Sequence, residues 1–304
     1  MRTIFLAFIL INISQFALLA QPRFVNEDYK DFYEWFHQRA QTEKLYTDGS
    51  ALYIFGQSSP VYSHPTLNSS VLLSLPIGKE VTNIGYKAYQ YPEDEIGGYG
   101  DIWYQVKGVS DSGKTFKGFV WGGNIAKSWT FSDLNGDNKN ELIMLGISSQ
   151  KRKNLQDIKA DIKIISAGKL MAQTTVPGLC VFEDCTASAL IRVLKDQPYP
   201  GIFIFEASTM TIGCYAGIEK AFYFWNGQQL ETVFHAEYTI SKIYDNQAFV
   251  YRPQGNDQTM ICRYDHEDKY YNPVWKCQPI AAKNVEPNKN IKAAFAAKGR
   301  AKAR

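Results

Sequence analysis

Beyond its first twenty residues the chain has no apolar run long enough to cross a bilayer as a helix. It has no Cys-x-x-Cys pair, and its four histidines are scattered, which removes the common zinc spacings. It contains neither G-x-S-x-G nor H-E-x-x-H, so the familiar hydrolase and metalloprotease signatures are missing. Strong positive charge on the body is missing too. Seven basic residues against Glu286 give residues 281–304 a net +6, and Arg2 falls in the N-terminal run. A chain of net +3 therefore carries −4 on residues 21–280. That balance argues against a nucleic-acid-binding core. The Ala- and Lys-rich tail of 281–304 reads as a basic disordered end, with contact to anionic surface polymers as the lesser reading.

What is present starts with "MRTIFLAFILINISQFALLAQP". Arg2 is a positive n-region, Ile4 to Leu19 is mostly apolar, and Ala20 suits cleavage before Gln21. Asn12, Ser14 and Gln15 interrupt the run, which favours a cleaved signal peptide (residues 1–20) over a membrane anchor. No cysteine follows to take a lipid. The expectation is a secreted or periplasmic protein with no transmembrane segment after cleavage. Five cysteines remain, and export permits disulfides. "CRYDHEDKYYNPVWKC" reads as two short strands around a polar turn, making Cys262–Cys277 a plausible cross-hairpin bridge. Cys180 and Cys185 could close a small loop, leaving Cys214 over.

The fold class expected is mainly β. Within an N-terminal segment of 21–50, "NEDYKDFYEWFHQRAQTEKLY" spaces Tyr29, Phe32, Tyr33 and Phe36 as on a helix, with Asn26 able to cap it. From Ala51 the pattern changes to short strands separated by turn residues, a rhythm that suits a small barrel over 51–127. Trp103, Val106, Phe119 and Val120 have strand-like spacing and are expected to fill its core. Strand-like runs continue over 128–280, among them "ELIMLGIS", "DIKADIKIIS" and "GIFIFEAST". Asn226-Gly227 between "FYFW" and "QQLETVF" signals a hairpin. A larger antiparallel domain, sandwich or propeller-like, is expected there.

Leu75-Pro76-Ile77-Gly78-Lys79, Trp103-Tyr104-Gln105-Val106 and Gly118-Phe119-Val120 followed by Trp121 resemble, taken together, the bacterial SH3-type (SH3b) domain. The resemblance covers roughly 51–127. The chain departs from it at Pro60, Tyr62 and His64, where that family commonly has Asn, Arg and Gly, and in the insertion from Lys87 to Asp101. The resemblance implies a binding or targeting barrel whose partner is peptide, peptidoglycan or an envelope protein. The segment also carries more aromatic rings than a small barrel can bury. Tyr62, Tyr86, Tyr99, Tyr104 and Trp121 are the candidates for a ligand groove, since flat rings give contact area at low entropic cost.

Residues 132–144, "SDLNGDNKNELIM", place Asp133, Asn135, Asp137 and Glu141 as oxygen donors, with the Lys139 carbonyl between them. Calcium takes six to eight hard oxygens, and alternating short side chains can wrap it. Met144 stands where an EF-hand has its bidentate Glu, and the flanks read as strands. The loop instead resembles the D-x-N-x-D loops of integrin-type FG-GAP modules. That implies a structural Ca2+; a metal-free Asx-rich turn is the competing reading.

A catalytic set is not expected. Cys214 with His235, Glu93 with Asp94 and Glu95, and His266 among carboxylates are the candidate sets, and strand flanks or solvated turns explain them better. The leading functional expectation is a non-enzymatic binding or targeting protein. The alternative is a cell-wall hydrolase with its catalytic site in 128–280.

Overall fold

The computed structural model describes residues 44–87, 99–148, 159–176, 189–193, 203–211, 217–225, 227, 230–239, 248–251, 260–267, 269 and 273–279. The protein is mainly β, built from antiparallel sheets. Of the N-terminal helix expected from its periodicity, residues 44–46 are helical; Asn26 to Phe36 lie outside the described residues.

The first sheet has six strands: β1 (Ala51–Tyr53), β2 (Ser58–Tyr62), β3 (Val71–Pro76), β4 (Glu80–Lys87), β5 (Trp103–Val109) and β6 (Thr115–Trp121). Their order is β1-β4-β5-β6-β2-β3. Leu52 of edge strand β1 and Leu75 of edge strand β3 lie in one core with Val61, Val81, Tyr104, Val106 and Val120. The sheet therefore curls around its own apolar face. It is not a closed barrel, which corrects the expectation for 51–127. β2 meets β6 through one residue pair, Tyr62↔Phe119, beside a register shift at Val61/Tyr62. A second shift falls between Asn83 and Tyr86. Such irregularities bend strands and end pairing, so the two edges are not zipped together.

The second sheet, in order β10-β9-β8-β7, comprises β7 (Ser128–Ser132), β8 (Glu141–Ile147), β9 (Ala160–Ser166) and β10 (Lys169–Val176). Every residue of β8 is buried, and so are the first six of β9. Their near-continuous apolar sequence reflects two covered faces instead of one. Leu142, Met144 and Ile165 join the core under the first sheet. Ile143, Leu145, Ile147, Ile162 and Ile164 join a second core on the opposite side. That second core is completed by Ile191, Phe205, Ala207, Ala221, Tyr223 and Trp225. These come from the third sheet: β11 (Leu190–Val193), β12 (Phe203–Thr211), β13 (Gly217–Trp225) and β14 (Leu230–Thr239), paired in that order. β13 and β14 form the expected hairpin, with Trp225 opposite Leu230 and Gly227 at φ +94° in the turn. β15 (Ala248–Tyr251), β16 (Met260–Glu267) and β17 (Pro273–Pro279) make a three-stranded sheet.

The parity of β5 and β6 decides how the first sheet joins the rest. Val106 and Val120 face the inner core, as expected. Trp103 and Trp121 are opposite each other on the other face, and both belong to the second core with Tyr99. Tyr62 and Phe119 pack against that core as well. The residues expected to fill one small barrel are thus shared between two cores. Across the opposite face of the second sheet, Lys163 (3% exposed) donates from Nζ to the Phe55 carbonyl at 3.0 Å. Its ammonium lies 4.1 Å from the Phe55 ring centroid. Burial lowers its pKa, with the Asp161 carboxylate pulling it back up. The chain also runs into the second sheet through the backbone: Lys127 N–H donates to the Leu145 carbonyl at 2.8 Å.

Candidate functional site

The five aromatic residues expected in a groove separate into three environments. Tyr104, Tyr99 and Trp121 are 0%, 2% and 5% exposed, so they are core residues and do not line an open surface. The reason is the second sheet: Tyr99 and Trp121 pack tilted at 47°, ring centroids 4.8 Å apart, inside the core it helps to build. Tyr62 is half-buried, its ring set edge-on to Trp103 at 5.4 Å. Tyr86 is the exposed one, at 52%.

Tyr86 has a partner the sequence did not single out. Tyr46, in the short helical turn, stands perpendicular to it, with ring centroids 5.5 Å apart at 77°. Tyr86 is also the cross-strand partner of Tyr104. Beside the Tyr104 ring lies a buried ion pair. Lys127 Nζ donates to Asp101 Oδ2 at 2.7 Å, with the side chains 0% and 6% exposed. The same ammonium is 6.0 Å from the Tyr104 ring centroid. Asp101 Oδ1 accepts the Ile102 N–H at 2.8 Å. Gly122 allows the carboxylate in, since a Cβ there would fall 2.5 Å from Asp101 Oδ1. The Tyr104 hydroxyl has no hydrogen-bond partner although it is buried. Burial first, then the charges of Asp101, Tyr46 and Tyr86, push the Tyr104 pKa well up, so the phenol stays protonated. Burial and then Asp101 raise Tyr46 in the same way. Neither Asp101 nor Lys127 announces itself in the sequence: one ends an insertion, the other precedes a strand, and they are 26 residues apart.

The loop of 133–141 connects β7 to β8 and folds back on itself. Gly136 and Asn138 donate backbone N–H groups to the two oxygens of Asp133 at 2.7 and 3.0 Å. Asp137 N–H reaches Asn135 Oδ1 at 2.8 Å, and Lys139 N–H reaches Asp137 Oδ1 at 2.7 Å. Gly136 sits at φ +82° and Asn138 at +68°, the left-handed region that these two residue types tolerate. Glu141, 1% exposed, accepts from Leu134 N–H at 2.7 Å, Asn135 Nδ2 at 3.0 Å and Ser166 Oγ at 3.1 Å. Asn135 Nδ2 reaches Asp137 Oδ2 as well, at 3.2 Å. One amide nitrogen thus bridges two carboxylates. Among the described residues no three Asp, Glu, His or Cys side chains form a ready metal cage. The donors suit a hard cation in kind, and Asp137 and Glu141 converge on the Asn135 nitrogen.

Cys277 is disulfide-bonded, and the β16–β17 register sets Cys262 directly opposite it. Cys180, Cys185 and Cys214 lie outside the described residues, as do Glu93, Asp94 and Glu95. His266 is exposed at a hairpin end, with Nδ1 2.9 Å from Asp265 Oδ2. Lys276 and then His266 hold the Asp265 carboxyl below its usual range. Gly108–Thr115 spells the phosphate-loop pattern G-x-x-x-x-G-K-T. It forms the hairpin turn between β5 and β6, with Ser110 N–H donating to the Lys114 carbonyl. β6 starts at Thr115, so the loop runs straight into a strand and not into the helix N-terminus that supplies the N–H cradle of a phosphate loop. No protein-family model, curated protein or solved structure matches the chain.

Proposed function

We propose that this is a secreted or periplasmic, non-enzymatic binding and targeting protein, whose six-stranded module attaches it to envelope material. The partner would be peptide, peptidoglycan or an envelope protein. One observation carries the reading: the exposed, perpendicular Tyr46–Tyr86 ring pair, with Tyr86 the cross-strand partner of Tyr104. Exposed perpendicular rings offer both a face and an edge to a ligand at little entropic cost. Co-sedimentation of the mature protein with purified envelope material tests it. Tyr86→Ala should cut retention at least tenfold while leaving stability within about 0.5 kcal/mol, because the ring is half in water. Equal retention by the variant would remove the site from the reading. Release of soluble wall fragments in the same tubes would favour the hydrolase alternative.

In the same reading the 133–141 loop takes a calcium ion in a structural role, held by Asp133, Asn135, Asp137, the Lys139 carbonyl and Glu141. The cation would replace the Asn135 amide as the positive partner of the carboxylates. Calcium should then raise the thermal midpoint, and chelator should reverse it. A thousandfold excess over the dissociation constant is worth about 4 kcal/mol. Asp133→Ala/Asp137→Ala should lose the response. No shift at millimolar calcium would leave the loop a hydrogen-bonded turn.

A further inference from the structure

We infer that β3 is a docking edge for a second copy of this chain, and that two copies pair antiparallel through it as a two-fold dimer. The inference is independent of the binding function proposed above. It starts from the two edges of the first sheet, β1 and β3. The far side of β1 is covered by the protein's own backbone. Ala126 N–H donates to the Tyr53 carbonyl at 2.9 Å, and Phe55 N–H to the Asn124 carbonyl at 2.7 Å. Ile54 and Ile125 form an antiparallel bridge there. β3 pairs with β2, and among the described residues no backbone group covers its other side. An uncovered strand presents a row of N–H and C=O groups that another extended segment can join.

β3 also lacks most of the devices that blunt such an edge. From Pro65 to Gly78 the chain has no charged residue. Pro76 is the last residue of the strand, so it ends the edge without interrupting it. One device is present, a bulge. Tyr62 pairs with Val71 and Val61 with Leu73, which makes Leu72 the extra residue. The bulge does not hide the apolar side chains: Val71 is 53% exposed, Leu72 49%, and Leu67 in the preceding turn 39%. Pairing along this edge would take them out of water. The edge is also preformed. Leu75 lies in the core and Leu73 packs against it, so little ordering is needed on binding.

The strand's own pattern selects the occupant. Ser70-Val71-Leu72-Leu73-Ser74 reads the same by chemical class in both directions, an apolar centre between two serines. Antiparallel copies related by a two-fold axis therefore set apolar centre against apolar centre, and no like charges meet. A charged segment from another protein would find no opposite charge on the strand. The first charged residue after it, Lys79, is already paired with Asp111 at 2.8 Å. An isologous pair needs only one suitable edge, because both partners supply the same one.

Light scattering on the eluting full mature protein, over a range of loading concentrations, tests the inference. The wild-type mass should rise to two chains. Val71→Lys and Leu72→Lys, made separately, should each stay at one chain, since lysines on both copies of the edge would repel across the axis. Both positions are about half in water, so the far-UV circular dichroism of each variant should match wild type. Amide hydrogen exchange of the wild type at low and high concentration reads strand pairing without any substitution: amides within 71–75 should slow as the dimer forms. A wild-type mass of one chain at every concentration would overturn the inference. A two-chain mass that persists in both lysine variants would overturn the edge as the interface. A two-chain mass without slowed exchange in 71–75 would overturn strand pairing. Slowed exchange in 71–75 on adding envelope extract, with the wild type alone at one chain, would assign the edge to an extended segment of another protein instead.

Discussion

Trp103→Ala should lower stability by about 3–5 kcal/mol, the range for emptying a fully buried large aromatic site. The loss should appear in all sheets that share the second core. Trp103 is 0% exposed and lies in one cluster with Ile147, Ile191, Phe205 and Trp225. The indole is therefore part of the joint between the first sheet and the third. Two independent domains meeting at 127/128 would respond differently: a first transition would move and a second would stay. Denaturant unfolding followed by far-UV circular dichroism and by intrinsic fluorescence separates these cases. Coincident transitions that shift together support the shared core; a second transition unmoved by the substitution would show that the joint is energetically slight.

The second large effect concerns the last sheet. Cys277→Ser should destabilise the β16–β17 hairpin by about 3 kcal/mol, the expectation for a disulfide closing roughly fifteen residues. The strands oppose Cys262 to Cys277 with no register shift between Met260 and Tyr264. Directly opposed residues on antiparallel strands bring their α-carbons to about 4.5–5.5 Å, within the span a disulfide bridges. We propose Cys262 as the partner on that ground. Peptide mapping of unreduced protein should recover the two cysteines joined, and Cys262→Ser should have the same cost. Alkylation of Cys262 without reduction would assign Cys277 another partner.

Much of the architecture was legible in local pattern. Short β-branched and aromatic runs between turn residues marked the strands. Asn226-Gly227 marked a hairpin that β13 and β14 form. The two cysteines flanking a polar turn fall opposite each other, because their spacing and the strand pairing are both local properties. Continuous apolar runs such as "ELIMLGI" signalled a strand, and the two covered faces of β8 account for the absence of alternation.

The candidate site was legible in part. Tyr86 was identified and is exposed, whereas Tyr99, Tyr104 and Trp121 share its residue class and are buried. Residue type reports how much apolar surface a side chain brings; it does not report whether another sheet will cover it. Trp103 and Val106 illustrate the limit. Three positions apart, they point to opposite faces of one strand, so no single core could hold both.

Local chemistry along the chain thus settles the strands, their turns, the cross-hairpin cysteines and the self-closing Asp133 loop, because each depends on neighbours within a few residues. The folded assembly alone decides which aromatics are core, that the first sheet curls without closing, and that Asp101 meets Lys127 beside Tyr104. Those outcomes depend on which surfaces of distant strands meet, and on the low dielectric that the meeting creates. Sequence spacing encodes neither.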